Sequence, residues 1–489
     1  MGLTEMLTGG LAPPPGGLLS TGALKYARSR VPGTFLVSDR AGTYGSGQRA
    51  PTFPYPEDLL QFIWEQQLFD RRDLRATDGR PVEVLRAGRI QHHGGPDLID
   101  ARIRIAGQEW AGAVEVHVRA GEWYAHGHQH DPAYDGVVLH VVHQEDRPVR
   151  TSAGRLLPTV ELGPRIPEER LAAYRRLMSA RSWVPCAGEL HRTDRHRNTI
   201  WLERLAVERL ERRSLDIAIH LRELAGDADE LLHHLLLRAL GLGVNGEAFA
   251  QLARRIPWRL LARYRDDDLR LEALLLGQAG LLGDTFQEEL PRRWQAEHAH
   301  LARLHGLEPM PKATWKFARM RPLNLPTVRL AQYAALVRRS EGSLVRLLNE
   351  EGTDRLEQHL KVLPSAYWLD HHVPGRRSVP SPKPLGSQSA QRLIVNALVP
   401  AAFALGRSQG REALCDRALG WLEQLPAERN GVLERWTLLG LAAQSAAQGQ
   451  ALLELRARYC TPRRCLYCSI GNQLLGRSFS QGSTHHQVP

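Results

Sequence analysis

Asp97, Glu115 and His117 are the residues whose types and spacing could do chemistry together. Asp97 follows Gly94, Gly95 and Pro96, and eighteen residues later Glu115 and His117 stand two apart in GAVEVHV. Residues two apart in a strand share a face, so Glu115 and His117 point one way while Val114, Val116 and Val118 point the other. If the strand after Asp97 pairs with the strand bearing Glu115, two carboxylates meet at one point. Hard oxygen ligands of this kind suit Mg²⁺ or Mn²⁺, which keep waters and accept phosphate oxygens in the rest of their shell. Such an ion polarises a phosphoryl group and lowers the pKa of an attacking water, so the chemistry expected is phosphodiester hydrolysis on DNA or RNA. The competing explanation is an ordinary hairpin whose exposed polar face carries Glu115 and His117.

Two further groups carry ligand chemistry. His126 and His128, in the histidine-rich stretch that follows, are accessory candidates for touching phosphate or positioning water, and Asp135 is a third. Cys460, Cys465 and Cys468 are spaced C-x4-C-x2-C, and Cys186 in WVPC is the natural fourth ligand. Four thiolates would hold Zn²⁺ or a [4Fe-4S] cluster, the alternative being buried or free thiols. Cys415 sits in a helical pattern and is expected in a core.

The elements that must position these residues follow from periodicity. Pro56, Glu57 and Asp58 give a helix start ahead of LLQFIWEQQLF, and Glu65 lies on that helix. Strands are predicted over 82–85, 98–105, 110–118 and 137–142, with Ala106-Gly107-Gln108 joining the middle two as a hairpin. From Pro167 onward the pattern is helical, with breaks at 241–246, at RPLNLP over 321–326 and across 374–389. The class expected is α+β, a small mixed sheet with flanking helices followed by a large all-α region.

Pro96-Asp97, then Glu115-Val116-His117, with a preceding helix bearing Glu65 and a following strand at Val137, resembles the PD-(D/E)XK nuclease superfamily. The resemblance implies a restriction-endonuclease-like sheet, metal held by Asp97 and Glu115, a contribution from the Val116 carbonyl, and Glu65 as an accessory acid. The superfamily's lysine falls at His117, and no lysine occurs between Lys25 and Lys312. That departure makes a catalytically silent nucleic-acid-binding or scaffold protein the second expectation. The alternating histidines before Asp131 also resemble the HxHxDH set of metallo-β-lactamase-type hydrolases, with His130 and Asp131 in reversed order, which makes a His-ligated zinc hydrolase the third. Cys186 with the C-terminal trio resembles the arrangement in iron-staple nucleases, whose upstream cysteine precedes the nuclease motifs rather than following them. Over 59–475 the chain resembles an uncharacterised bacterial domain-of-unknown-function family, through GGPDLIDARIRI, GAVEVHV, HGHQHDPAYDGVVLHVV, RSWVPC, RPLNLPTVRLAQ, EQLPAERN and CTPRRCLYC.

The organisation expected is a disordered extension over 1–53, a nuclease-like core over 54–165, a helical domain over 166–373, a linker over 374–389, a C-terminal helical segment with the cysteines over 390–476, and a tail over 477–489. The net charge of +11 is carried by 59 arginines against 5 lysines. Planar guanidinium forks suit phosphate, so nucleic acid is the partner expected, although a coding bias towards arginine gives the same count. No run of about 18 apolar residues stands out, since Leu393 to Leu405 is interrupted by Asn396 and Pro400, so no membrane span is expected. With no secretion signal evident, the expected location is cytoplasmic. Trp315, Lys316, Arg319, Arg321 and Asn324 combine ring and cation in one block, with Trp315 expected to pack inward.

Overall fold

A computed structural model describes residues 53–91 and 94–476. Of the extension expected over 1–53, residues 1–52 lie outside the described residues, as does the tail expected over 477–489; Phe53, its last residue, is instead packed in the sheet core.

Helix α1, Glu57–Glu65, begins after the extended Pro56 with two acids in its first turn. It buries Leu59, Leu60, Phe62, Ile63 and Trp64, and the Trp64 indole donates to the Ala87 carbonyl at 3.0 Å. The strands are β1 Val82–Arg86, β2 Arg89–Ile90, β3 Leu98–Ile105, β4 Gln108–Arg119, β5 Val137–Gln144 and β6 Thr159–Glu161. They form one mixed sheet in the order β1-β3-β4-β5-β6, with β2 alongside β3. β1, β3 and β4 run antiparallel, while β4, β5 and β6 run parallel.

The hairpin closes more tightly than the sequence suggests. Ala106 and Gly107 both take positive φ, 49° and 85°, and Gln108 already pairs with Ile105, so the turn has two residues. Between Leu98 and Ala101 the register shifts: Leu98 faces Val114 and Ala101 faces Gly112. The additional residue is a bulge on β3, where Asp100 adopts φ 60° and is held by the Arg89 guanidinium. Bulges bend a strand and re-aim its neighbours, and this one lies three residues beyond Asp97.

β4 is central, which overturns the hairpin-with-a-polar-face alternative. Val114 and Val116 are fully buried in a core with Leu59, Leu60 and Ile63. Yet Glu115 and His117 are buried too, at 3 % and 1 % exposure. Their face is roofed by helix α2, Glu122–Ala125, and the one-turn helices His128–His130 and Pro132–Tyr134, around Trp123. Gly112 seats the parallel strand, because a Cβ there would stand 2.5 Å from the Gly136 carbonyl oxygen and 2.6 Å from Val138 Cγ1. Gly112→Ala is therefore expected to destabilise the fold by about 1–3 kcal/mol. The check is a lowered denaturant midpoint at unchanged slope.

Beyond the sheet, α3, Glu168–Ser179, leads to α4, Arg195–Glu223, a 29-residue helix capped by the Asp194 carboxylate on Arg197 N. α4 joins two cores. Trp201, Leu202, Leu205 and Ala206 pack with the sheet, while Leu210 packs with the helices beyond. The segment expected over 390–476 divides between these cores. Its first part, through Ala418, Trp421 and Leu425, belongs to the helical core, and Leu433, Trp436 and the stretch from Ala451 to Leu475 return to the sheet core. Glu454, fully buried, anchors that return by accepting from Arg209 and Arg212 on α4. A buried carboxylate held by two guanidiniums keeps its charge compensated.

Residues expected as a linker carry packed structure. Lys383 and Leu385 are each 1 % exposed, and Gln332 donates to the carbonyls of Lys383 and Pro384. The run Ser387–Ser408 is long and apolar enough to cross a membrane by composition, but 78 % of its most apolar 18-residue window is buried within the protein. Asn396, which interrupts it, donates to Glu428 and accepts from Arg213. Trp315 packs inward as expected, its indole donating to the Ala279 carbonyl at 2.8 Å.

Candidate acid and histidine centre

The antiparallel pairing of β3 with β4 brings Asp97 and Glu115 into direct contact. The Asp97 backbone N–H donates to Glu115 Oε2 at 3.0 Å, and the Val116 N–H donates to Asp97 Oδ2 at 3.0 Å. Each carboxylate is thus pinned by the other's strand. Neither has a lysine or arginine partner among the described residues.

Burial raises both. Asp97 is pushed up to about 7, first by burial and then by the Glu115 charge, against the hydrogen bonds from Val116 N–H and Gln61. Glu115 is pushed up to about 8 by burial, against its bond from Asp97 N–H. A third acid joins them: Glu57, in the first turn of α1, is pushed to about 9 by burial and by the charges of Asp97, Glu122, Glu115 and Asp58. Three acids whose ionised forms are this disfavoured form a place where a cation is strongly stabilised.

Histidines complete the surroundings. His128 Nε2 lies 3.2 Å and His117 Nε2 3.6 Å from Glu115 Oε1. His117 Nε2 also faces His126 Nδ1 at 3.2 Å, and its Nδ1 faces His140 Nε2 at 2.9 Å. The ring of His128 stacks on Tyr134 at 3.8 Å, and Trp123 meets both His128 and His140 edge-on. Ligand atoms of His117, His126 and His128 all lie within 4.8 Å of one another. Burial, with His140, His126 and His128 around it, holds His117 well below the ordinary histidine value. A neutral imidazole is a metal ligand and a hydrogen-bonding group, not a fixed cation, so His117 does not reproduce the charge of a lysine.

The donor set fits a divalent ion. A buried and a half-buried carboxylate stand beside three imidazoles, and His128 Nε2 makes no well-formed hydrogen bond in the protein despite being buried. The carboxylate oxygens suit Mg²⁺ or Mn²⁺, and the imidazoles beside them suit Zn²⁺.

The other expected residues are placed as follows. Glu65 accepts from Ile90 N–H at 3.1 Å and so tethers β2 to α1. Asp135 is exposed and bonds Ser152, and His130 is exposed; neither is in the histidine group. Cys186, Cys460, Cys465 and Cys468 are all buried, with no disulfide between them. Three participants were not foreseen. Glu57 reads in the sequence only as a helix-start acid, Gln61 lies one turn beyond it, and His140 sits in the apolar run VVLHVV, where a lone imidazole is the one signal.

The fold and this centre define a mixed α+β protein with a buried acid and histidine cluster at the heart of its sheet. The pattern of the family described as "Protein of unknown function (DUF2851)" matches residues 57–431, and the chain belongs to that family. No curated protein and no solved structure matches the chain.

Proposed function

We propose that this protein is a metal-dependent phosphodiesterase acting on nucleic acid, with Asp97 and Glu115 as the metal-holding carboxylates. The observation that carries the reading is their contact on adjacent strands, Glu115 buried and Asp97 half-buried, with no lysine or arginine partner to either among the described residues. The mixed sheet, with an antiparallel hairpin bearing the acids and a parallel strand after it, agrees with the restriction-endonuclease-like arrangement. A divalent ion held there supplies Lewis acidity towards a phosphoryl oxygen and lowers the pKa of an attacking water.

The protein's own groups would do the rest. Glu115 and Asp97 would take the ion's charge, His117 and His128 would orient around Glu115 as neutral imidazoles, and His126, at the exposed edge of the group, would meet solvent and substrate. Substrate attraction has a separate source. A cleft of about 560 Å³ in the helical region is lined by Arg319, Arg321, Arg392 and Arg429 against one carboxylate, Glu434, and none of these arginines forms an ion pair among the described residues. Four unpaired guanidiniums around one cleft suit a phosphate backbone.

The test is cutting of single- and double-stranded DNA and RNA by the purified chain with Mn²⁺ or Mg²⁺. Metal-dependent cutting supports the proposal. Binding that weakens steeply with salt, without cutting under any divalent ion, would instead establish the catalytically silent nucleic-acid binder. The zinc-hydrolase reading draws on the convergence of His117, His126 and His128. It takes over if the chain holds zinc that is lost on His126→Ala or His128→Ala and retained on Asp97→Asn.

A further inference from the structure

The block of ring and cation around Trp315 separates in the fold. Trp315 packs inward, while Arg319, Arg321 and Asn324 line the arginine cleft. Arg392, on the helix Ser387–Leu393, and Arg429, just before the helix Gly431–Leu438, line it from other stretches of the chain. Given a nucleic-acid substrate, the reading on which this rests, we propose that the cleft holds the phosphomonoester end of a strand, so that the protein engages its substrate at termini.

Charge is the first reason. Four guanidiniums line the cleft against the single carboxylate of Glu434. The neighbouring acid Glu428 is engaged elsewhere, accepting from Asn396 at 3.0 Å and from Gln450 at 3.2 Å. A fifth guanidinium stands behind the wall. Arg329 is 4 % exposed and donates to Asn324, Gln332 and Ser389 at 2.6, 2.9 and 3.1 Å, all neutral oxygens. It has no carboxylate partner among the described residues, and its buried Nε has no acceptor. Asn324 both accepts from Arg329 and lines the cleft, so the buried charge backs onto it. A guanidinium buried without an acid is costly, and an anion beyond Asn324 offsets that cost. Burial, and then the charge of Arg392, pull Arg329 down to about 10.

The loop that presents Arg319 is fixed. Its backbone takes φ 60°, a region that side chains other than glycine seldom adopt. Asn245, 2 % exposed, holds the same loop by accepting from the Lys316 N–H and donating to the Lys316 carbonyl, each at 2.9 Å. Strain of this kind persists where the surroundings hold it.

Size and lining favour an end over a run of backbone. A groove that tracks a single strand spans several nucleotides and stacks bases on aromatic rings. This cleft, at about 560 Å³, has the size of a small-molecule pocket, and no aromatic side chain lines it. It therefore reads phosphate and not base. A terminal monoester brings nearly two charges and three acceptor oxygens to one point, against one charge for each phosphodiester within the strand. Several guanidinium forks around one recess match the monoester.

The experiment is fluorescence anisotropy of the full chain without added Mn²⁺ or Mg²⁺, so that binding is read apart from cutting. One internally labelled single-stranded oligonucleotide carries a 5′-phosphate, a 3′-phosphate or neither, at one fixed salt concentration. One phosphorylated form should bind about 10-fold tighter than the unphosphorylated strand. Arg321→Ala and Arg429→Ala, both at exposed positions without side-chain hydrogen bonds among the described residues, should each erase most of that preference at an unchanged denaturant midpoint. Equal affinity for all three strands would overturn the end preference and leave nucleic-acid binding standing, whereas no binding of any strand would overturn both. A preference that survives both substitutions would put the phosphate elsewhere. Displacement by a nucleoside monophosphate at the concentration of the phosphorylated strand would make a free nucleotide the occupant. Either result would overturn the proposal.

Discussion

Asp97→Asn or Glu115→Gln is expected to lower metal-dependent cutting of nucleic acid by about 10³-fold or more, about 4 kcal/mol of transition-state stabilisation. Each change keeps the shape of the side chain and removes one charged oxygen pair from the place where the cation sits. The backbone donors are retained: Asp97 N–H can still meet an amide oxygen at position 115, and Val116 N–H one at position 97. The fold should therefore survive while divalent-ion affinity falls. Glu65→Gln is the control. Its carboxylate tethers Ile90 on β2, so it should cost far less cutting. Initial rates measured over a range of Mn²⁺ concentrations check this. Equal activity in either Asp97 or Glu115 variant would exclude the site.

The same acids dictate an unusual dependence of stability on pH. Folding raises Asp97 to about 7, Glu115 to about 8 and Glu57 to about 9, from ordinary carboxylate values near 4. Between about pH 4 and pH 9 the folded chain then binds more protons than the unfolded one, so stability falls as pH rises through this window. The loss is on the order of a few kcal/mol after discounting for solvent around half-buried Asp97 and Glu57. Metal-stripped protein should therefore unfold at lower denaturant at pH 8.5 than at pH 5.5. Saturating Mn²⁺ should reverse the slope, because the ion binds the deprotonated acids and competes with protons. Glu115→Gln should flatten the curve without metal. A metal-free chain as stable at pH 8.5 as at pH 5.5 would show that these carboxylates are not disfavoured as described.

Local pattern carried much of this into the sequence. Alternation around Val114 and Val116 located β4, and the turn at Gly107 placed β3 beside it, so the meeting of Asp97 with Glu115 was legible before any coordinates. What was not legible is how deep the meeting lies. Alternation reports two faces but not what covers the second. The cover, from Trp123 to Tyr134, is a series of short turns without periodicity, held by the Trp123 indole on the Arg150 carbonyl and the stacking of His128 on Tyr134. Consequently the alternation leaves open an exposed polar face for Glu115 and His117, which are in fact buried. His117, considered as a replacement for a cationic lysine, is held neutral first by burial and then by neighbours that include His140, which comes from the next strand. The return of the chain end was also out of reach. Arg170 donating to Leu475, and Gln473 bonding Asn198, join residues hundreds of positions apart, and no local period encodes such pairs.

The most direct test of the central claim is anomalous diffraction at the manganese edge from crystals of the full chain grown with Mn²⁺. A peak about 2.2 Å from carboxylate oxygens of both Asp97 and Glu115 is expected. No peak at that position, or one held by His126 and His128 without either carboxylate, would contradict it.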